Sequence, residues 1–314
     1  MKILLYGAGI IGRIYASKLS ETEHTISLLA RGKKYEELNR DGIIIRNEIT
    51  GIKTTVNVPL IRELKHSDFY DLIIVTVRLE QLESVLAELR KNEPSPRILF
   101  MQNNPDNIER FKKTLPDKHL FLGFPGVGGT VHGKRIDYVQ IKQQKTTIGE
   151  IDGVKSEFIS NLKSLFQRAG FKTEISSKMQ DWLKTHAIFI SCITASIINA
   201  NGDSVKLAND KSSIRTMVQS INEGFTALES LNISIEPRNL KVIFMTMPKW
   251  FSILYWQKAM RSNLGKLAIA PHAILATEEM QLVAKKILAI VNSSSVRTPI
   301  LDNLLLTFIK IKPN

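Results

Sequence analysis

The first half of the chain alternates short apolar runs with helix-like stretches. Continuous runs typical of buried parallel strands occupy residues 2–6, 25–30, 72–77 and 97–101, and a closing strand is predicted at 171–175. Two shorter β-rich runs, at 43–46 and 52–58, are punctuated by turn residues and predict an inserted hairpin. Strands that alternate with helices predict an α/β fold with a doubly wound sheet of the Rossmann type.

The pattern changes after residue 176, where every later segment has helical spacing. These segments are 179–200, 212–231, 237–246, 250–262, 272–293 and 299–310. A chain of 314 residues is long enough for two domains. We therefore predict a Rossmann-type domain at residues 1–176 and an all-α C-terminal domain at 177–314.

A glycine turn follows the first predicted strand and opens the first predicted helix. It reads Gly7, Ala8, Gly9, Ile10, Ile11 and Gly12. In a dinucleotide fold, Gly7 permits the sharp turn, Gly9 lets a pyrophosphate approach the backbone, and Gly12 allows close packing of helix and sheet. The phosphates then meet free N–H groups at the helix N-terminus. We interpret the turn as a cofactor site, and the alternative is an ordinary connection between strand and helix.

Cations follow the second predicted strand, where a site that prefers NAD usually carries an acidic residue. Arg31 is followed by Gly32, Lys33 and Lys34, and no acid occurs before Glu36. A guanidinium binds phosphate in a bidentate manner, so Arg31 predicts NADP(H) through its 2′-phosphate. A basic surface loop is the alternative.

Two further polar residues follow later strands. Arg78 comes after the strand at 72–77, and Asn103 comes after the strand at 97–101. Ligands of open α/β sheets bind beyond the carboxyl ends of the strands. We therefore expect both side chains to contribute to the cofactor site.

Composition narrows the function classes. The single cysteine, Cys192, excludes an internal disulfide and a Cys-rich metal site, and no metal is predicted. We expect a cytoplasmic protein without a signal peptide, because the apolar start runs directly into the glycine turn. The longest apolar stretch, 187–200, is too short and too interrupted to span a membrane.

The net charge of +13 is spread along the chain without a nucleic-acid-binding signature. We therefore expect no nucleic-acid partner and rank nucleic-acid binding third among the hypotheses.

The order of these features, followed by Asp181, Trp182, Leu183 and Lys184 at the start of a buried helix, resembles the ketopantoate reductase family. The Thr298-Pro299 pair is similar to the start of the family's last helix. The resemblance implies a Rossmann domain joined to an all-α domain, NADPH as cofactor, and reduction of a 2-oxo acid in pantothenate biosynthesis.

The resemblance also implies roles for individual residues. Lys184 matches the catalytic lysine, which stabilises the charge that develops on the keto oxygen and donates a proton. The alternative for Lys184 is a helix-surface lysine whose stem packs while its head reaches water. Asn103 matches an asparagine beside the nicotinamide and substrate, Arg78 stands where the family usually has lysine, and Asn201 resembles a substrate-contacting asparagine after the catalytic helix.

Three positions depart from the family pattern. Ile188 and Cys192 replace substrate-binding asparagines, and Ile269 falls where a glutamate is expected. The first two changes predict a more apolar pocket and leave the substrate open. All three changes also support the alternative of an NADP(H)-binding sensor or partner-binding protein that has lost catalysis. The sequence leaves the oligomeric state open, with a homodimer as one possibility.

Overall fold

The structure, a computed structural model, describes residues 1–106, 108–140 and 145–312, leaving aside the side chains of residues 267, 268 and 272. The chain divides into two compact units. Unit 1 comprises Met1–Gln102 and Asn107–Met179, and unit 2 comprises Asn103–Asp106 and Gln180–Asn314.

An eight-stranded sheet forms the centre of unit 1. Its strands are β1 (Lys2–Tyr6), β2 (Thr25–Leu29), β5 (Leu60–Ile61), β6 (Leu72–Val75), β7 (Arg97–Met101), β8 (His119–Phe124), β11 (Thr146–Glu150) and β12 (Thr173–Ile175). Their order is β12-β11-β8-β7-β6-β1-β2-β5, and every neighbouring pair is parallel except β11 with β8. The central strands are buried on both faces, as their continuous apolar sequences predict.

A second sheet of four strands lies in the same unit, in the order β4-β3-β10-β9. Its strands are β3 (Ile43–Asn47), β4 (Lys53–Val56), β9 (Val127–His132) and β10 (Arg135–Gln140). The antiparallel pairing of β3 with β4 confirms the predicted hairpin. Asp137 of β10 is buried and receives hydrogen bonds from Arg46 and Arg135.

The described residues of unit 1 form five α-helices: α1 (Ile10–Leu19), α2 (Gly32–Asp41), α3 (Leu82–Lys91), α4 (Glu109–Thr114) and α5 (Glu157–Arg168). Helix α2 occupies the segment for which a basic surface loop was the alternative, so the segment after Arg31 is helical, and the binding of a phosphate by Arg31 stays a prediction. Leu38 is the only residue of α2 that is buried, so the segment carries little of the apolar stripe that predicts a helix.

Among its described residues, the regular secondary structure of unit 2 consists of helices. Its helices are α6 (Met179–Asn199), α7 (Ser204–Asn209), α8 (Lys211–Ser230), α9 (Arg238–Lys241), α10 (Lys249–Arg261), α11 (Ala270–Leu275), α12 (Thr277–Val291) and α13 (Pro299–Lys310), with π-helical turns at Val242–Thr246 and Leu264–Ile269. The fold class predicted from the sequence, a Rossmann-type sheet followed by a helical region, is confirmed.

Aromatic packing and a helix cap organise unit 2. The rings of Phe189, Phe225, Phe244 and Trp256 meet with centroids between 5.4 and 6.0 Å apart. The carboxylate of Glu223 accepts the backbone N–H groups of Ile300 and Leu301, each at 2.9 Å. This cap satisfies donors that the first turn of α13 leaves without a helical partner. Within the described part of the chain, no helix is both long and apolar enough to cross a membrane.

Candidate functional site

The glycine turn has the shape that a pyrophosphate requires. Gly7 has a φ of +119°, which favours glycine, whereas Gly9 has an ordinary φ of −71°. A Cβ on Gly9 would meet no atom within 4 Å, so the space beside this residue is open. A Cβ on Gly12 would overlap the carbonyl oxygen of Gly7. The first and third glycines therefore serve the fold, and the second keeps space free for a ligand.

Thr76, just beyond β6, fixes this turn. Its Oγ1 donates a hydrogen bond to the carbonyl oxygen of Gly7 at 3.1 Å, and its backbone N–H donates to Tyr6 at 3.0 Å. Helix α1 begins directly after Gly9, which has no side chain to satisfy the N–H groups of the first turn. These donors and the open space at Gly9 fit the phosphates of a dinucleotide.

The strand order brings the other predicted cofactor residues of unit 1 to the same edge of the sheet. Strand β1 lies between β2 and β6, and the direction of the strand order reverses between β1 and β6. This is the switch point at which open α/β sheets bind ligands. Arg31 follows β2 and Arg78 follows β6, so both stand at the carboxyl ends of strands that flank the glycine turn.

Arg31 is held by three groups. Its Nη2 lies 2.6 Å from Oε2 of Glu88 and 3.0 Å from the hydroxyl of Tyr6, and its Nε donates to the carbonyl oxygen of Arg62 at 3.3 Å. The Arg31 side chain is 50% exposed. The guanidinium is thus oriented by the protein and still open to solvent and to a ligand.

Arg78 is held more loosely. Its Nη1 is 4.0 Å from Oε1 of Glu80, and the Arg78 side chain is 59% exposed. Its backbone N–H donates to Oε1 of Gln81 at the start of a short 3₁₀ turn. An exposed guanidinium with one distant counter-ion is available to an anion.

Asn103 comes two residues after β7, and its segment 103–106 groups with unit 2. The side-chain Nδ2 contacts Sδ of Met280 on α12 at 3.8 Å, and Asp106 forms an ion pair with Lys286 of the same helix at 2.7 Å. Asn103 is 9% exposed, and its Oδ1 has no hydrogen-bond partner among the described residues. A buried amide oxygen without a donor is an available acceptor for a ligand.

Lys184 lies in the second turn of α6 and is half-buried. It forms no hydrogen bond or ion pair with any residue that the structure describes. The turns beside it are anchored, because Asp181 accepts the N–H of Ser234 at 3.0 Å and Thr185 accepts the N–H of Glu236 at 3.2 Å. The ammonium group is therefore carried by a fixed backbone and is free to meet an anionic ligand.

Asn201 cannot share a small substrate with Lys184. Helix α6 is continuous from Met179 to Asn199, and Asn201 lies just past its end with a φ of +60°. Seventeen residues of helix place the two positions about 25 Å apart along the axis. The expectation that Asn201 contacts the same substrate is therefore wrong. Asn201 and Gly202 end the helix, with the N–H of Gly202 donating to Ile197.

Ile188 and Cys192 are part of the interior of unit 2. Both side chains are fully buried, and a Cβ on Gly224 would lie 2.7 Å from Cγ2 of Ile188, so α6 and α8 pack closely there. The sequence-based hypothesis that these residues make a pocket more apolar is not supported, since neither side chain is open to a ligand. Burial raises the pKa of the Cys192 thiol, with a smaller effect from Glu223.

Sequence reasoning missed Thr76, Tyr6 and Glu88. Tyr6 and Thr76 lie at the ends of predicted strands, close in sequence to the glycine turn and to Arg78, and this position was a usable signal. Glu88 had none, because only the fold brings it to Arg31.

Comparison with known proteins shows what this chain is similar to. Residues 3–153 match the family model described as ketopantoate reductase PanE/ApbA. The 2-dehydropantoate 2-reductase of Pyrococcus horikoshii is 26% identical over 201 residues, which covers 62% of each protein. That of Aquifex aeolicus is 23% identical over 237 residues, which covers 74% of each. The chain thus spans less than two thirds of the length of the Pyrococcus relative.

Solved structures share the whole fold at low identity. A probable 2-dehydropantoate 2-reductase from Bacillus subtilis has a TM-score of 0.72 at 18% identity, covering 98% of this chain and 99% of that one. A D-mandelate dehydrogenase solved with NADH and anilino(oxo)acetate has a TM-score of 0.77 at 15% identity, covering 98% and 97%. The resemblance predicted from the sequence is confirmed, because residues 3–153 match the family model of the ketopantoate reductases PanE/ApbA.

Proposed function

We propose that this chain is an NADPH-dependent reductase of a small 2-oxo acid, similar in reaction to 2-dehydropantoate 2-reductase and with a role in pantothenate biosynthesis. The observation that carries the proposal is the glycine turn, because open space at Gly9 beside the first-turn N–H groups of α1 suits a pyrophosphate. The family match over residues 3–153 supports the same cofactor class.

Arg31 supports NADP(H) over NAD(H). Its guanidinium is half-exposed, stands after β2, and carries an Nη1 group without a partner among the described residues. A 2′-phosphate would accept hydrogen bonds from this group, and the N-terminus of α2 directly after Arg31 adds a favourable field. Arg78 would assist as a second cation at the neighbouring strand end.

Lys184 supports the reductive chemistry. NADPH supplies a hydride to the keto carbon when it is bound. The ammonium of Lys184 would stabilise the negative charge that develops on the keto oxygen and would donate the proton that completes the hydroxyl group. The substrate's carboxylate gives the half-buried lysine a counter-ion that no described residue supplies.

Asn103 would orient the reactants through its amide. The unpartnered Oδ1 would accept a hydrogen bond from an N–H or O–H of the bound molecules, and the weak contact of Nδ2 with sulfur leaves that group ready to donate. Asn201 has no part in this proposal, since its place is the end of α6.

The experiment that tests the function is NADPH oxidation, followed at 340 nm, with a panel of 2-oxo acids that differ in size and hydroxylation. We expect turnover with at least one member. Light scattering tests separately whether the chain forms a homodimer. A chain that binds NADPH tightly but turns over no carbonyl compound would instead fit the second candidate, a cofactor-binding sensor, which the replaced polar positions 188, 192 and 269 favour.

A further inference from the structure

We propose that Glu88 is a specificity-determining residue that weakens the hold of Arg31 on a 2′-phosphate and so limits the preference for NADP(H) over NAD(H). This inference rests on the proposed role of Arg31 and goes beyond it. Glu88 acts through Arg31, so it is a positioning residue for the adenosine end of the cofactor.

Glu88 occupies donors that a phosphate would use. Arg31 has five N–H donors, and the Nη2 group already serves both Glu88, at 2.6 Å, and the hydroxyl of Tyr6, at 3.0 Å. The Nε group points to the carbonyl oxygen of Arg62. Only Nη1 remains without a described partner. A bidentate grip on phosphate therefore requires Nη2 to be shared with, or released from, the carboxylate.

Tyr6 fixes the position of Glu88. The Tyr6 hydroxyl donates to Oε2 of Glu88, the same oxygen that accepts from Arg31. Burial, reinforced by the hydrogen bond and charge of Glu88, raises the pKa of Tyr6, so the phenol keeps its proton. Tyr6 ends β1 directly before Gly7, which places this three-residue cluster at the glycine turn.

The fold holds the carboxylate in this position. Glu88 belongs to α3, whose buried side chains Leu82, Val85, Leu86 and Leu89 lie on either side of it in sequence. The Glu88 side chain is 32% exposed. Because the helix is packed through this apolar face, the backbone of Glu88 is fixed, and its carboxylate stays within reach of Arg31.

A fixed carboxylate affects the two cofactors differently. A 2′-phosphate is an anion that competes with Glu88 for Arg31 and is repelled by it. The 2′-hydroxyl of NAD(H) is neutral and suffers no such repulsion. Removal of the charge at position 88 should therefore strengthen binding of the phosphorylated ligand alone.

The test uses 2′,5′-ADP and ADP as probes of the adenosine end, with affinities measured by calorimetry at low, constant ionic strength. For Glu88→Gln, an isosteric change, we expect 2′,5′-ADP to bind about fivefold more tightly, with ADP unchanged within about twofold. The gain should shrink as salt is added. Glu83→Gln is the matched control, because it removes the same charge from the same helix where the partner is Arg110. Thermal melting checks that each variant is folded.

The outcomes separate the two proposals. If Arg31→Ala lowers the affinity for both probes equally, the assignment of the 2′-phosphate to Arg31 fails, and the proposed NADP(H) specificity fails with it. If Arg31→Ala affects 2′,5′-ADP alone but Glu88→Gln behaves like Glu83→Gln, only the role of Glu88 is overturned. Weaker ADP binding in Glu88→Gln would also overturn it, since Glu88 would then be a direct ligand of the ribose.

Discussion

The α-carbon of Gly12 faces the carbonyl oxygen of Gly7 so closely that no Cβ fits between them. Gly7 lies in the turn between β1 and α1, and Gly12 lies in the first turn of α1. Thr76 borders the same contact from the neighbouring strand end, since a Cβ on Gly12 would also lie 2.7 Å from its Oγ1. Gly12→Ala must therefore push α1 away from the sheet. We expect it to lower the free energy of unfolding by about 3 kcal/mol, measured by urea denaturation.

Gly9→Ala provides the contrast within the same turn. Its φ of −71° suits alanine, and its Cβ would enter open space. We expect stability to change by less than about 0.5 kcal/mol, whereas NADPH affinity falls at least about tenfold because the Cβ occupies the space of the pyrophosphate. Fluorescence titration measures the affinity. Unchanged NADPH binding in a folded Gly9→Ala protein would show that the turn does not hold the cofactor.

Substitutions at Ile188 test whether this residue belongs to the core of unit 2 or to a substrate pocket. Asparagine, the residue typical of the family at this position, would here bury an amide against Gly224 of α8, beside which a methyl of Leu301 also lies. We expect Ile188→Asn to destabilise unit 2 by about 3 kcal/mol without improving turnover of any 2-oxo acid. Ile188→Val, which keeps the site apolar, is the control and should cost about 1 kcal/mol. A stable Ile188→Asn variant with new activity on hydroxylated substrates would restore the pocket hypothesis.

Asp137 gives the protein part of its acid sensitivity. Hydrogen bonds from Arg135, opposed by burial and reinforced by Arg46, lower the pKa of Asp137 below its ordinary value. A lowered folded-state pKa stabilises the protein above the unfolded-state pKa of about 4, and this stability is lost as the pH falls through the folded-state value. We expect Asp137→Asn to be less stable than wild type at pH 6, with the difference narrowing below pH 4. Denaturation across that range checks this, and a difference independent of pH would contradict it.

The sequence allowed the prediction of the features that local patterns control. Apolar runs identified the strands of the sheet. The spacing of Gly7, Gly9 and Gly12 indicated the turn, because each position has a local steric reason to lack a Cβ. Helix α2 was missed since Leu38 alone is buried in it. The apolar period predicted α6 at nearly its observed length, Met179–Asn199, whereas the role of Asn201 came from the family resemblance and did not take that length into account.

Other features depend on contacts between distant segments. Glu88 and Arg31 are separated by 57 residues, and no local pattern links a carboxylate on α3 to an arginine after β2. The grouping of 103–106 with α12, through Met280 and Lys286, likewise depends on tertiary contacts. Helical periodicity placed Ile188 on an apolar face without showing that α8 covers it.

Lys184 is proposed to donate the proton in an NADPH-dependent reduction. The most direct test compares kcat/KM and NADPH affinity for wild type and Lys184→Ala, with the exposed Lys211→Ala as control. We expect kcat/KM on the best 2-oxo acid to fall at least about a hundredfold in Lys184→Ala, while NADPH affinity changes less than about twofold and Lys211→Ala behaves as wild type. Wild-type turnover by Lys184→Ala, or no oxidation of NADPH by wild type with any 2-oxo acid, would contradict the claim.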